Sequence, residues 1–318
     1  MSSATQALPL PVDANPEVTN FPSQFAKISK NVWKHHINGN TDEMNIGVDH
    51  LQGMAMNTKG DYFFFTHSRS GDNGTMIICD NDSKTRKIVQ KITLPDKGYN
   101  HPGGVQQIGD ILVVPQEKDG ASKVIFYNLQ TVTHTEPPAL LPVAISSDTH
   151  KAGGVGITKY TPVGETAPKH LVVVYDNGMA YRYQSNGQPL ASTAVSFQSI
   201  GAAQQLSQGD YSTVSLATDV TGVVYMVGFR TSMSGPSYVT DYMDLYQYNA
   251  STGVFELIVA NQHVITQHGA TVGSYGVHFR WTGGLRIVSS TAIQALVSAR
   301  NFVGGPAGAT EVNIISES

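Results

Sequence analysis

The stretch HPGGVQQIGDILVVPQE, from His101 to Glu117, decides the fold. It opens on an imidazole and two glycines, turns at Gly109–Asp110, and runs on as an apolar segment that ends in a carboxylate. Two short β-type segments on either side of a Gly–Asp pair read as a hairpin. A looser copy starts at His50 (HLQGMAM) and another at His150 (HKAGGVGI). The same opening, returning at intervals of roughly 50 residues, marks a repeat of one supersecondary unit.

Working outward, the remaining strands fall into place. The first unit reads HLQGMAMN, DYFFFTHS, TMIICDND and KIVQKITLP. The second reads HPGGVQQIG, DILVVPQE, SKVIFYNLQ and ALLPVAIS. The third reads HKAGGVGITKY, HLVVVYDNG, MAYRYQSNG and STAVSFQSI. The fourth reads YSTVSLATD, VVYMVGFR, MDLYQYNAS and FELIVANQHV. A fifth, GSYGVHFRW, LRIVSSTA and EVNIISES, lacks a fourth strand. In each unit the first strand is lean and glycine-rich, as a strand crowded against a central axis must be. The second is the most apolar, as a strand covered on both faces must be.

The chain therefore resembles the β-propeller superfamily in its five-bladed form, over roughly residues 23–318, with a six-bladed ring as the alternative. That resemblance implies an all-β ring. The leftover segment FAKISKNVWKHHI (Phe25–Ile37) then supplies the outermost strand of the last blade and pairs the edges of the ring. A missed element has room in AAQQLSQGD or between Ile293 and Ala309, where IQALVSARNF is the best helix candidate before GGP. Met1 to Pro22 reads as a polar, proline-containing flexible arm, and 23–318 as one domain.

In an antiparallel hairpin the start of strand one lies beside the end of strand two. Starts of strand one contribute His50, His101 and His150; ends of strand two contribute His67, Glu117, Asp176 and Arg230. His278 and Arg280 in VHFRW edge the same rim if that segment is a strand, because alternate residues share a face. Three readings of the rim stand side by side. The imidazoles can lock neighbouring blades through backbone hydrogen bonds. They can bind a polar or carbohydrate-like ligand without metal, with Glu117 or Asp176 moving protons. Or His50, His101 and His150 can hold a divalent metal, three protein ligands and an open position being the catalytic zinc pattern. The reaction classes such a rim would serve are metal-assisted hydrolysis or lyase chemistry. A lectin-like or toxin-like binding module and a protein-interaction scaffold are the alternatives without catalysis. Carotenoid-cleaving oxygenases are propellers that place iron on histidines from several blades, but the fourth unit here offers Ser212 and Thr213 where a histidine would stand.

Other features narrow the field. The net charge of −4, without a Lys/Arg run, provides no basic field for nucleic acid or an anionic membrane. The lone Cys79, in TMIICD, excludes an intramolecular disulfide and reads as a small buried hydrophobe. The first residues lack a basic n-region with an apolar core, so the chain reads as cytoplasmic unless a leader has been removed. Ser68–Gly74 and Glu117–Gly120 read as ordinary turns before they read as calcium loops. His35 and His36 belong to the closing strand, at the outside of the ring.

Overall fold

The computed structural model describes residues 9–28, 31–38, 50–69, 73–84, 86–233, 239–266, 276–300 and 309–316. Within them lie five antiparallel sheets, each an up-and-down run from the axis outward. Blade 1 comprises Leu51–Met56, Tyr62–His67, Thr75–Asp80 and Ile88–Thr93. In blade 2 the first strand is split into His101–Pro102 and Gln106–Ile108, followed by Ile111–Lys118, Ala121–Asn128 and Ala139–Ser147. Blade 3 comprises Gly154–Tyr160, Lys169–Asp176, Met179–Ser185 and Phe197–Ser199; the two-residue strand Gln204–Gln205, in the stretch AAQQLSQGD, adds to its third strand. Blade 4 comprises Thr213–Thr218, Val224–Met233, Val239–Asn249 and Val254–Val264. Blade 5 is built from Gly284–Ser289, Ala292–Ser298, Ala309–Ser316 and, from the other end of the chain, Asn31–Asn38.

The protein is thus a five-bladed β-propeller closed by an N-terminal strand. Trp33 stands opposite Ile314 and His35 opposite Val312 in that closing pair. Two local readings change. Phe21–Lys27 is a helix, capped by the Asn20 side chain, so only the second half of the leftover segment is strand. In blade 5 the first two strands sit one place later than the sequence reading has them, and EVNIISES is the third strand as expected. GVHFRW is irregular, LRIVSS is strand one, and the helix candidate IQALVSARNF begins as strand two, Ala292–Ser298. Its apolar residues meet both neighbours: Leu296 faces blade 1, whereas Ile293, Ala295 and Val297 face blade 4. A short apolar run cannot declare helix or strand by itself.

Five apolar clusters fill the five seams between blades, which explains the unbroken apolar second strands. In blade 1, Phe63 and Phe65 enter the seam with blade 5, while Phe64 enters the seam with blade 2. In blade 3, Val172 and Val174 face blade 2, while Leu171 and Val173 face blade 4. Alternation survives, but both faces are core. Cys79 lies fully buried in the seam between blades 5 and 1, and burial pushes its thiol well above the ordinary range.

At the axis the glycines close the ring. A Cβ on Gly104 would stand 2.1 Å from Thr213 Oγ1, and one on Gly103 would stand 2.3 Å from the Gly153 carbonyl. Gly104 bridges to Gly154 across blades 2 and 3, its N–H donating to Gly153 O and its carbonyl accepting the Val155 N–H. The fully buried Gln106 side chain donates to Leu216 O at 2.7 Å and accepts from the Ile157 and Leu216 N–H groups at 2.8 Å each. It thereby joins the first strands of blades 2, 3 and 4. At this level the centre is packed side chain and backbone.

The expected flexible arm is, from Pro9 onward, part of the fold. Residues 12–20 cross the face opposite the strand-one histidines. Val12 bonds Asp110 of blade 2; Asp13 pairs with Lys159 at 2.7 Å and accepts from the Leu190 N–H in blade 3. Val18 bridges to Asp219 of blade 4, and Thr19 N–H donates to Ser290 O of blade 5. Val18 and Phe21 are fully buried. The strap is polar because most of its work is hydrogen bonding to the turns of four blades, which is why composition alone reads it as an arm.

Candidate functional site

The opposite face, free of the strap, carries the starts of the first strands and the ends of the second. In blade 2 the hairpin register puts His101 opposite Glu117, and the side chains meet: Nδ1 lies 2.9 Å from Oε1. His101 is 39% exposed and Glu117 14%, so the pair is open on the imidazole side and sheltered on the carboxylate side. Glu117 Oε2 accepts the Ala152 N–H at 2.9 Å, a bond into blade 3. Burial alone would raise the Glu117 pKa. The His101 bond and charge, the Ala152 N–H and Lys151 outweigh it and hold the carboxyl below its ordinary range. With Nδ1 turned to the carboxylate, Nε2 is the other imidazole nitrogen of this half-exposed side chain. Glu117, expected as a proton-moving group, is instead an ionised carboxylate held between His101 and the Ala152 N–H.

Asp176, the other expected acid–base group, accepts the Lys151 N–H at 3.0 Å. Glu117 and Asp176 together hold two consecutive amides at the entry to blade 3. That is a fastening, made where a chain leaves an outer strand and must turn sharply toward the axis.

The structure does not gather His50, His101 and His150 into a metal set. Among the described residues no group of three or more His, Cys, Asp or Glu is placed to hold a metal ion. His150 is 5% exposed and occupied: Nδ1 lies 2.7 Å from Lys151 O, Nε2 lies 2.8 Å from Tyr183 OH, and the ring stacks on Tyr181 at 3.7 Å. Its partners sit 1 and 33 positions away along the chain, in its own blade. His50 stays on the rim, its ring 5.1 Å from that of Trp281. Burial lowers its pKa, and Arg300, His101 and Arg280 lower it further against a bond to Leu51 O. His67 is buried at the end of its strand, 4% exposed.

His278 is not on a strand and does not edge the rim. It is 1% exposed, with Nδ1 2.8 Å from Asp241 Oδ2. Asp241 also accepts from Thr231 and Thr266 hydroxyls and from the Phe279 N–H, and so ties blade 4 to the approach to blade 5. Arg230 is held by the fully buried Asp244 at 2.7 Å and lies 4.8 Å over the Tyr242 ring. Asp244 further accepts Tyr211 OH at 3.0 Å and the Asn261 N–H at 2.6 Å. Neither aspartate stood out in DYMDLYQYN, where the tyrosines dominate the pattern. Their signal was the spacing of three, which puts Asp241 and Asp244 on opposite faces of one strand.

Over blade 4, between its entry from blade 3 and the approach to blade 5, this face sinks into a basin of about 620 Å³. Its wall is Asp210–Ser212 before strand one, Arg230–Met233 at the end of strand two, and Arg280. The basin lies on the same rim as the His101–Glu117 pair; Arg280 at its edge lies over Trp281, whose ring meets that of His50. Its volume suits a small polar ligand. Ser70–Asp72, within one of the turns weighed as a calcium loop, lie outside the described residues.

The class that fold and site define is a five-bladed propeller with a polar rim. No protein-family model and no curated protein matches the chain. Among solved structures it is similar to the GH43 protein BlXynB from Bacillus licheniformis, at 11% identity and a TM-score of 0.49, covering 88% of this chain and 56% of that one. The chain thus spans little more than half the length of that protein. It is also similar to an α-L-arabinanase from Cellvibrio cellulosa, at 9% identity and 0.46, covering 83% and 90%. A periplasmic gluconolactonase, PpgL, from Pseudomonas aeruginosa follows at 12% and 0.38, covering 83% and 70%. No helix of the described residues is long and apolar enough to cross a membrane.

Proposed function

We propose that this propeller binds a small, polar, carbohydrate-like molecule in the basin over blade 4. The reading rests on one observation: a 620 Å³ hollow lined by Asp210, Ser212, Thr231, Ser232 and two guanidiniums, on the one face that the N-terminal strap leaves uncovered. Hydroxyls and a carboxylate supply the donor and acceptor pairs that a polyol exchanges for water. The His101–Glu117 pair on the same rim is the proton acceptor that a hydrolase or lyase would use, and we take turnover as the second half of the proposal. Binding without turnover is the alternative reading, because neither His101 nor Glu117 lines the basin.

The test is a panel of neutral and acidic oligosaccharides followed by calorimetry and by product release. Saturable binding that Ser232→Trp abolishes, with the fold intact by circular dichroism, supports the site. Binding unaffected by Ser232→Trp removes it. Product release lost in His101→Ala supports catalysis; binding with no product from any bound sugar leaves a binding module.

A further inference from the structure

The basin's charge says more about its occupant. Arg230 and Arg280 face it against one carboxylate, Asp210. Arg230 is already neutralised by Asp244, whose two oxygens are taken up by Arg230, Tyr211 and the Asn261 amide. Arg280 differs. Its backbone N–H donates to Thr231 Oγ1 at 2.7 Å, which fixes where the residue stands. Its guanidinium lies 4.8 Å over the Trp281 ring, and one N–H points at Met233 Sδ, 2.7 Å away. A thioether is a weak acceptor. Among the described residues no carboxylate pairs with this guanidinium, although five N–H donors in a planar fork are made for one. The local field is positive as well. Arg300 lies 5.3 Å over the same Trp281 ring, and Arg280 and Arg300 both disfavour the charged form of His50.

We infer, building on the binding proposed above, that the occupant is an acidic sugar: a uronate or aldonate whose carboxylate replaces Met233 sulfur as the partner of Arg280. Its hydroxyls exchange hydrogen bonds with Asp210, Ser212 and Ser232. Trp281 holds the guanidinium flat, so the fork meets a carboxylate without first losing rotamer freedom. Arg230 is the pillar beside it, locked by Asp244 and unable to compete for the ligand's charge.

Calorimetric titration with digalacturonate and with cellobiose tests this, on the full chain and on Arg280→Gln. The expected result is digalacturonate binding at least tenfold tighter than cellobiose, weakened severalfold between 50 and 500 mM NaCl. Arg280→Gln reduces digalacturonate binding about tenfold to a hundredfold, the range of a lost charge-assisted pair, and reduces it at least severalfold more than it reduces cellobiose binding. Equal binding of the two sugars overturns the acidic assignment and leaves the carbohydrate site standing. Tight digalacturonate binding that ignores Arg280→Gln overturns it too. Failure of both sugars to bind overturns this inference together with the binding proposal.

Discussion

Gly104 and Gly153, one from each of the look-alike pairs HPGG and KAGG, predict opposite responses to one methyl group. A Cβ at Gly104 falls 2.1 Å from Thr213 Oγ1 and 2.2 Å from Thr213 Cβ, with Thr213 Cα at 3.2 Å. Carbon–oxygen contact belongs near 3.5 Å, and the threonine is fully buried with no room to turn away. Relief needs a movement of more than 1 Å between blades 2 and 4, across an axis cross-linked by Gln106. Overpacking of a rigid core costs roughly 1–3 kcal/mol, and this contact lies at or beyond the top of that range. Gly104→Ala should therefore lower unfolding free energy by about 3 kcal/mol or more, a fall of roughly 4–5 °C in Tm for a chain of this length. Gly153→Ala meets only Tyr175 O, at 3.6 Å, and has no left-handed φ to lose. It should be neutral or stabilising by up to about 1 kcal/mol through the unfolded state. The assay is urea unfolding of both variants and of Thr213→Gly with and without Gly104→Ala. The double variant should recover at least about 2 kcal/mol relative to additivity. A Gly104→Ala protein within about 1 kcal/mol of the parent at unchanged m-value would refute a closed axis.

Three further outcomes follow from the same geometry. Asp13→Asn removes the strap's charge on Lys159; burial opposes the Asp13 charge, but the Lys159 bond, the His170 charge and the Leu190 amide together hold its pKa below the ordinary value. Its contribution is present above about pH 4 and lost as pH falls through the folded pKa, so acid unfolding of the variant should begin from a lower plateau and show a shallower slope, read by fluorescence from pH 2 to 5. His35, on the closing strand, is driven by burial, with Arg86 and His36 adding to it, from 6.5 to about 4. The unfolded chain takes up a proton that the seam refuses, so stability should fall by on the order of 1–2 kcal/mol between pH 6.5 and 4, and His35→Leu should flatten that slope. Removal of residues 1–38 strips the partner from Ala309–Ser316, and the bared edge should give oligomers or aggregates in light scattering while the parent stays monodisperse.

What was legible in the sequence was local. Turn glycines, apolar second strands and a fifth unit one strand short declared the blade repeat and its closure by the N-terminal strand, because period-2 patterning and turn chemistry act over a few residues. The pairing of His101 with Glu117 was equally local, a hairpin register across 16 positions. Only the tertiary structure decided that His150 turns to Tyr183, that His278 sinks onto Asp241, that Arg280 stands over the basin and that the proline-rich start straps four blades. Apart from the His150 contact, which lies within blade 3, those outcomes join residues whose approach depends on how neighbouring sheets fit around an axis. Strand order tells which ends share a face; the width of each seam, set by side chains from two distant blades, determines whether a side chain on that face reaches solvent, a neighbour or the core.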